Sequence, residues 1–533
     1  MSDMFQPRAD GASRRQARTQ QEEKARRKTR IIMVSVITVL VLFFTAALFI
    51  NSKFIRRNYT ALTIGGVNFT IVDFEYFFNT EYVDFMNWMS QMQGMGGSMP
   101  ESGRPLSSQI FDEETGATWA DYFTESAFRK MSMIVQIYNA ATAAGYKLSD
   151  EETARINDEL VTIRLQAAEY GYPSTDSLLQ QMFGNSIDEK SYRKLLEFTM
   201  IAESYSNHVR ESFNYSTVDL ESYYFENRDT LDIFSYRSLM IYAERLDPLD
   251  FPNTEDYLAA IEDSIAEVSL IAAEIAAGIE SEDDFISAAM DYEAEFYSDP
   301  DSTLRVQSGE RLDEQLSFWL LDATRMPGDI ELIDSDQGCN IIFYVSRDDN
   351  GYLTSSMRQI LILRERINPA EFELGEDDLE YIEAVELAEN EARERAELVF
   401  ALFTASGGTE SALNDLIKEY SDEYDENFSG DISEIGYYKD IAKYPYQSSY
   451  VYAMQVVPEI EEWLFDPERE IGDYELIRSE AHGYHLMYFP GYGDRMSDII
   501  SEDKMRTRDH NAWNDGLAEV EPVKHWAFIL VQI

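Results

Sequence analysis

The stretch Trp319-Leu-Leu-Asp-Ala-Thr-Arg-Met-Pro-Gly-Asp-Ile-Glu-Leu-Ile-Asp-Ser335 returns as Trp463-Leu-Phe-Asp-Pro-Glu-Arg-Glu-Ile-Gly-Asp-Tyr-Glu-Leu-Ile-Arg-Ser479, in register at an offset of 144 residues (463 − 319). Each copy runs on into a short apolar strand, Asn340-Ile-Ile-Phe-Tyr-Val345 and Tyr484-His-Leu-Met-Tyr-Phe489. The repeating unit is therefore domain-sized and too long for a solenoid turn. The C-terminal half must fold as two versions of one domain, and only the second carries a histidine in that strand.

A chain of 533 residues divides into several domains, because a single hydrophobic core stops growing well before that size. Its 44% hydrophobic and 13% aromatic content supplies folded cores despite a net charge of −55. Residues 1–57 hold twelve Lys/Arg against four Asp/Glu, which leaves a net −63 (32 basic against 95 acidic residues) for the rest. Such a field repels nucleic acid and anionic headgroups, and it reads as a solvated acidic surface rather than a dedicated cation site.

Ile31 to Ile50 is uncharged and, at about twenty residues, long enough to span hydrocarbon. Residues 1–30 form a basic tail ahead of it, including Arg26, Arg27, Lys28 and Arg30, so the positive-inside rule leaves the N-terminus cytoplasmic and residues from 58 onward outside. A signal peptide would have a shorter apolar region ending in a small-residue cleavage site, which Leu48-Phe-Ile-Asn-Ser-Lys-Phe lacks. No cysteine follows closely enough to carry a lipid. Cys339 is the only cysteine, so packing alone must hold the exported body, which suits a bacterial envelope.

Beyond the span, Ala61 to Ile71 reads as two short extended pieces around Gly65-Gly66, and Val72 to Met86 as an aromatic amphipathic helix. Residues 94–118 read as a loop. Helices are expected over Asp121–Ala144, Ser149–Tyr170, Ser174–Met182, Asp188–Ser212 and Val218–Glu226, with Ser149 and Ser186 as N-terminal caps. Gly145, Gly171 and Gly184 stand at the helix stops.

This order of strand pair, aromatic helix, loop, Tyr-x-x-Ala-x-x-x-Gly helix end, capped long helix, Tyr-Gly and further helix resembles the N-terminal chaperone domain of the SurA/PrsA/PpiD group of envelope foldases. In that group the chaperone domain leads into one or two parvulin-type peptidyl-prolyl isomerase domains. Met357-Arg-Gln-Ile-Leu-Ile-Leu363 is similar to a parvulin opening strand, Ser421-Asp-Glu and Gly430-Asp-Ile to its middle, and Ile460 to Phe489 to its end. The earlier copy, from Tyr236-Arg-Ser-Leu-Met-Ile, resembles a degenerate version. The resemblance implies an α+β protein. Its parts are a transmembrane helix (31–50), a mainly helical chaperone domain (58–235), a degenerate parvulin-like domain (236–350), a second parvulin-like domain (351–493), and a C-terminal segment (494–533) that packs back on the chaperone domain.

Rotation about an X-Pro bond faces a barrier of about 18 to 20 kcal/mol, with no covalent bond made or broken. An isomerase need only favour the twisted amide, by gripping the proline ring in an apolar pocket and presenting polar groups to the imide. Matched to the family motif, His485 falls on the C-terminal active-site histidine and Glu423 on the position usually held by Cys or Asp. Ile432, Val456 and Ile460 fall on the pocket positions. Gln359 replaces the first-strand histidine, keeping hydrogen-bonding capacity without titrating, and Val456 and Ile460 are smaller than the usual Met and Phe. The resemblance thus implies isomerase activity that is reduced or absent. In the first copy Ser238 and Asn340 stand at the corresponding places if Gly338 is aligned with Gly483 by a one-residue shift; without the shift Ile341 faces His485. Neither alignment supplies a histidine.

His482 and His485, three apart on a strand, would point to opposite faces, so no shared metal is expected, and no hydrolase, nucleotide or Cys-x-x-Cys motif suggests a cofactor. Met86 and Met89 fit a core-facing stripe, while Met92, Met95 and Met99, where the helix gives way to glycine, suit contact with varied apolar clients. The expected partners are unfolded or newly exported polypeptides, proline-containing segments among them, and the membrane through the one span. An inactive holdase using its parvulin-like domains to bind peptide, and an envelope scaffold, are the competing readings.

Overall fold

Gly65 and Gly66, both at positive φ (52° and 84°), close a two-residue hairpin of the kind whose twist matches antiparallel strands. The structure is a computed structural model that describes residues 30, 33–42, 52–91, 99–292, 299–372, 375, 378–425 and 431–531. It is a mixture of helices and antiparallel sheets divided into two compact units, residues 1–213 with 509–533 and residues 214–508. Among the described residues no helix is long and apolar enough to cross a membrane. Of the span expected over 31–50, only residues 33–42 are described, and they are helical.

In the first unit a short helix α1 (Lys53–Asn58) leads into the hairpin of β1 (Thr60–Ile64) and β2 (Val67–Thr70). Five helices follow: α2 (Ile71–Gln91), α3 (Trp119–Ala144), α4 (Asp150–Glu169), α5 (Thr175–Phe183) and α6 (Glu189–Ser212). Their aromatic faces bury Phe74, Phe77, Phe123, Met131, Leu160 and Leu179 in one core. Thr118 with Asp121 and Ser149 with Glu152 form reciprocal capping boxes. At α6 the cap is Asp188 and not Ser186, which is buried and gives its carbonyl to Arg57. The region read as a loop holds a small hairpin of β3 (Ile110–Asp112) and β4 (Ala117–Thr118), closed where Asp112 accepts from the Glu114 amide (2.9 Å) and Gly116 takes positive φ. The C-terminal strand Pro522–Lys524 pairs antiparallel with β1, and Phe528 beyond it packs on Phe74 and Phe128.

The second unit opens with α7 (Thr217–Leu231), whose Tyr224 and Leu231 are buried against Ala442, Ala453, Met496 and Ile500. The second compact unit begins at Asn214, before α7. Two repeats follow. The first runs β5 (Ile233–Tyr242), α8 (Thr254–Ala276), α9 (Glu282–Tyr292), β6 (Leu304–Ser308), α10 (Glu314–Leu320), β7 (Ile330–Ser335) and β8 (Gly338–Asp348). The second runs β9 (Leu353–Leu363), α11 (Leu379–Ala405), α12 (Glu410–Tyr420), β10 (Tyr437–Ile441), the small hairpin β11 (Tyr446–Gln447) and β12 (Tyr452–Ala453), α13 (Pro458–Leu464), β13 (Tyr474–Ser479) and β14 (Gly483–Arg495). Helix α14 (Met496–Asp515) comes after.

The sheets have the same antiparallel order, β6-β5-β8-β7 and β10-β9-β14-β13. Two helices cover one face of each and a short helix the other, because alternate strand residues serve opposite layers. The duplicated stretch explains its own persistence. Arg325 lies over the Trp319 ring and Arg469 over Trp463, both at 4.1 Å from the ring centroid. Each arginine also donates to that tryptophan's carbonyl and to Asp329 or Asp473. Gly328 and Gly472, both at φ 97°, then hydrogen-bond across to the last strand. Even the buried indole N–H recurs at Trp319 and Trp463, without an acceptor among the described residues.

Candidate functional site

Strand alternation sends Met357, Gln359 and Leu361 of β9, and His485, Met487 and Phe489 of β14, to the sheet face covered by α13. Gln359 and His485, diagonal neighbours in this register, meet at 2.8 Å between Gln Oε1 and His Nδ1. The amide's other end donates from Nε2 to Glu423 Oε1 at 2.8 Å, and the Tyr438 hydroxyl donates to the same oxygen at 2.7 Å. On the far side, His485 Nε2 lies 2.8 Å from the Ser479 hydroxyl. A continuous chain therefore runs Ser479, His485, Gln359, Glu423, Tyr438.

The chain fixes the proton positions. A carboxylate only accepts, so Gln359 must turn its NH2 to Glu423 and its carbonyl to His485. Nδ1 of His485 then carries the proton and Nε2 accepts from Ser479. Burial pushes the His485 pKa down from 6.5 to about 4, with the neighbouring His482 charge adding to the effect and Glu459 opposing it. The imidazole is thus a neutral, oriented group, 3% exposed, beside a glutamine 5% exposed. Tyr438 is pushed up to about 12, first by burial and then by the Glu423 carboxylate, and keeps its hydroxyl proton. Among the described residues Glu423 Oε2 has no hydrogen-bond partner, and it lies against Gly436. A Cβ at Gly436 (φ 65°) would come within 2.3 Å of the Gln359 carbonyl, while the Gln359 N–H donates to the Gly436 carbonyl at 2.8 Å. Only glycine lets β10 approach β9 at this point.

The structure brings His485, Gln359 and Glu423 into one network. Val456 and Ile460 share the apolar layer on that sheet face with Met357, Trp463 and Met487. Ile432 does not join them; it lies in a 3-10 turn and packs with Ile360, Leu413 and Ile435 in the layer beneath α11 and α12. His482 sits in the turn before β14 rather than on the strand, its ring edge-on and 5.9 Å from that of His485. Met99 is exposed, and Met92 and Met95 lie outside the described residues.

Two members of the network, Ser479 and Tyr438, carry no mark of function in the sequence. Ser479 was visible only as the conserved end of the duplication, and its hydroxyl also accepts from the His482 amide, as that of Ser335 does from Gln337. The turn-closing role is shared by both copies; the histidine contact belongs to the second. In the first copy Ser335 pairs with Gly338 and in the second Ser479 with Gly483, so the one-residue shift holds and Asn340 is the counterpart of His485. Ser238 donates to Asn340 Oδ1 at 3.0 Å, a shortened equivalent of the Gln359–His485 pair. A second duplicated constellation was unforeseen. Arg237 and Arg358, each buried beside these positions, pair with Glu282 and Glu410, the first residues of α9 and α12.

No family model matches the chain, and no curated protein matches it. Among solved structures, the peptidylprolyl isomerase PrsA from Bacillus anthracis is similar over 50% of this chain and 87% of its own, at 13% identity and a TM-score of 0.19. PrsA from Bacillus subtilis is similar over 58% and 91%, at 13% identity and a TM-score of 0.14. Superpositions this loose carry no functional argument.

Proposed function

We propose that the protein is a membrane-anchored, extracytoplasmic foldase. In this reading the first unit and the two repeats bind unfolded exported polypeptides, and the second repeat retains a weak parvulin-type site for X-Pro isomerisation. The observation that carries the reading is the oriented His485–Gln359–Glu423–Tyr438 network beside the apolar layer of Val456, Ile460 and Met487. A neutral imidazole relieved of titration, a glutamine relaying its hydrogen bond and a carboxylate-held tyrosine are the polar complement an imide losing resonance would meet. The apolar layer offers the surface for a proline ring.

The near-complete burial of His485 and Gln359 favours a second reading, in which the repeats bind peptide without turning it over. Both readings require chaperone action. Full-length protein in detergent, added to a chemically unfolded client, should slow the growth of light scattering, and His485→Ala should slow it equally. Scattering unchanged by either protein would remove both readings and leave the scaffold.

A further inference from the structure

At the start and end of the first unit, large apolar side chains stand exposed. Tyr59, just after α1, is 39% exposed, Trp526 is 53% exposed and Ile529 is 85% exposed. Tyr59 and Trp526 meet edge to face with centroids 5.7 Å apart, and Phe54 packs edge-on against Tyr59 at 6.5 Å. Trp526 and Ile529 lie in a 3-10 turn, Trp526–Leu530, where residues three apart eclipse and so face the same way. The opposite side of that turn is anchored: Ala527 is fully buried and Phe528 packs on Phe74. The His525 amide donates to Ala61 O (2.8 Å), and Arg56 donates to Leu530 O (2.9 Å). The patch is therefore held rigidly outward.

Its position limits what can cover it. The apolar run of the sequence ends at Ile50 and α1 begins at Lys53, a gap that even fully extended chain cannot stretch beyond about 10 Å. The six residues of α1 add only about 9 Å more. A bilayer spanned by residues 31–50 would thus lie within reach of Tyr59. Trp and Tyr are the residues that settle at the level of lipid headgroups. Of the nearby cations, Arg56 pairs with Glu75 and Arg57 with Asp188, Lys53 donates to Gln180, and Lys524 lies over the Phe128 and Phe528 rings; the acidic body would be held off an anionic surface. Rings, and not charges, make this contact.

We infer that the patch of Tyr59, Trp526 and Ile529 is a lipid-interface contact that seats the first unit on the bilayer holding the chain's own anchor. The inference rests on reading residues 31–50 as a membrane span. Full-length protein would be reconstituted into phosphatidylcholine vesicles with and without bromine on the upper acyl carbons, then floated after an alkaline wash. The expected result is that the chain floats, bromolipid quenches its tryptophan emission, and Trp526→Phe lowers that quenching about twofold, as loss of an interfacial tryptophan should. Ile529→Ser should lower it as well. A chain that floats but is quenched identically with and without Trp526 overturns the contact and leaves the anchor standing. A chain that fails to float overturns the anchor and this inference with it. If Trp526 is unquenched in vesicles but its emission shifts on addition of an unfolded client, the patch is a client surface instead.

Discussion

At residue 359 a glutamine does what an imidazole would do, offering an acceptor at one end to His485 and a donor at the other to Glu423. A histidine placed there can keep both contacts in one neutral tautomer, so Gln359→His should fold without disturbing the network. Burial sets the proton behaviour of His485. Its folded pKa of about 4 lies below the free value of 6.5, so the unfolded chain takes up a proton first as pH falls. The stability from keeping this ring neutral is therefore full above pH 6.5 and is lost as pH drops toward 4, by about 3 kcal/mol in all. Nuclear magnetic resonance of the His485 Cε1–H should show a midpoint near 4; a midpoint near 6.5 would mean that the ring is solvated. The match to the family motif singled out His485, Gln359 and Glu423, and the structure brings these three side chains together. Tyr438 and Ser479 were not legible, since what gives them meaning is the pairing of β10 with β9 and of β13 with β14. The match to the family motif grouped Ile432 with Val456 and Ile460, whereas its 3-10 turn turns it to the layer beneath α11 and α12.

Among the elements, the clip of tryptophan, arginine, glycine and aspartate closes the connection into the last hairpin of both repeats. A half-buried cation over an indole is worth on the order of 1–2 kcal/mol, and its hydrogen bonds to Trp463 and Asp473 add to that. Arg469→Gln should thus raise amide hydrogen exchange in β13 and β14 while leaving β7 and β8 unchanged, and Arg325→Gln should do the reverse. Equal effects of either variant on both hairpins would mean that the repeats are not separate cooperative elements. The stretch that forms the clip was legible as a duplication because it is written twice almost without change, but the stacking of its arginine on its tryptophan was not. The strand order was not legible either, because β5 lies between β6 and β8, and β9 between β10 and β14, pairings that no local pattern encodes. The β11–β12 hairpin was missed as well: its strands are two residues each, and Tyr446 and Ala453 face α7 and α14 while Tyr452 is exposed, with Tyr446 donating to Asp503 at 2.9 Å.

For the whole molecule, the tail determines whether the first unit is closed. Removing residues 517–533 would strip β1 of its outer partner and uncover Phe74 and Phe128, at a cost of about 3–5 kcal/mol for the loss of Phe528 alone. Exchange in β1 should then rise by orders of magnitude, whereas unchanged protection would show that the tail merely rests on the surface. The resemblance implied that residues 494–533 pack back on the chaperone domain, but not which strand they would join. The central claim concerns the second repeat, and exchange spectroscopy of a proline-containing peptide with full-length protein tests it most directly. Slow but measurable catalysis is predicted, lowered by His485→Ala with the fold intact, and raised by Gln359→His about tenfold, or roughly 1.4 kcal/mol of transition-state stabilisation. No catalysis by any of the three proteins would contradict the account and leave a site that only binds.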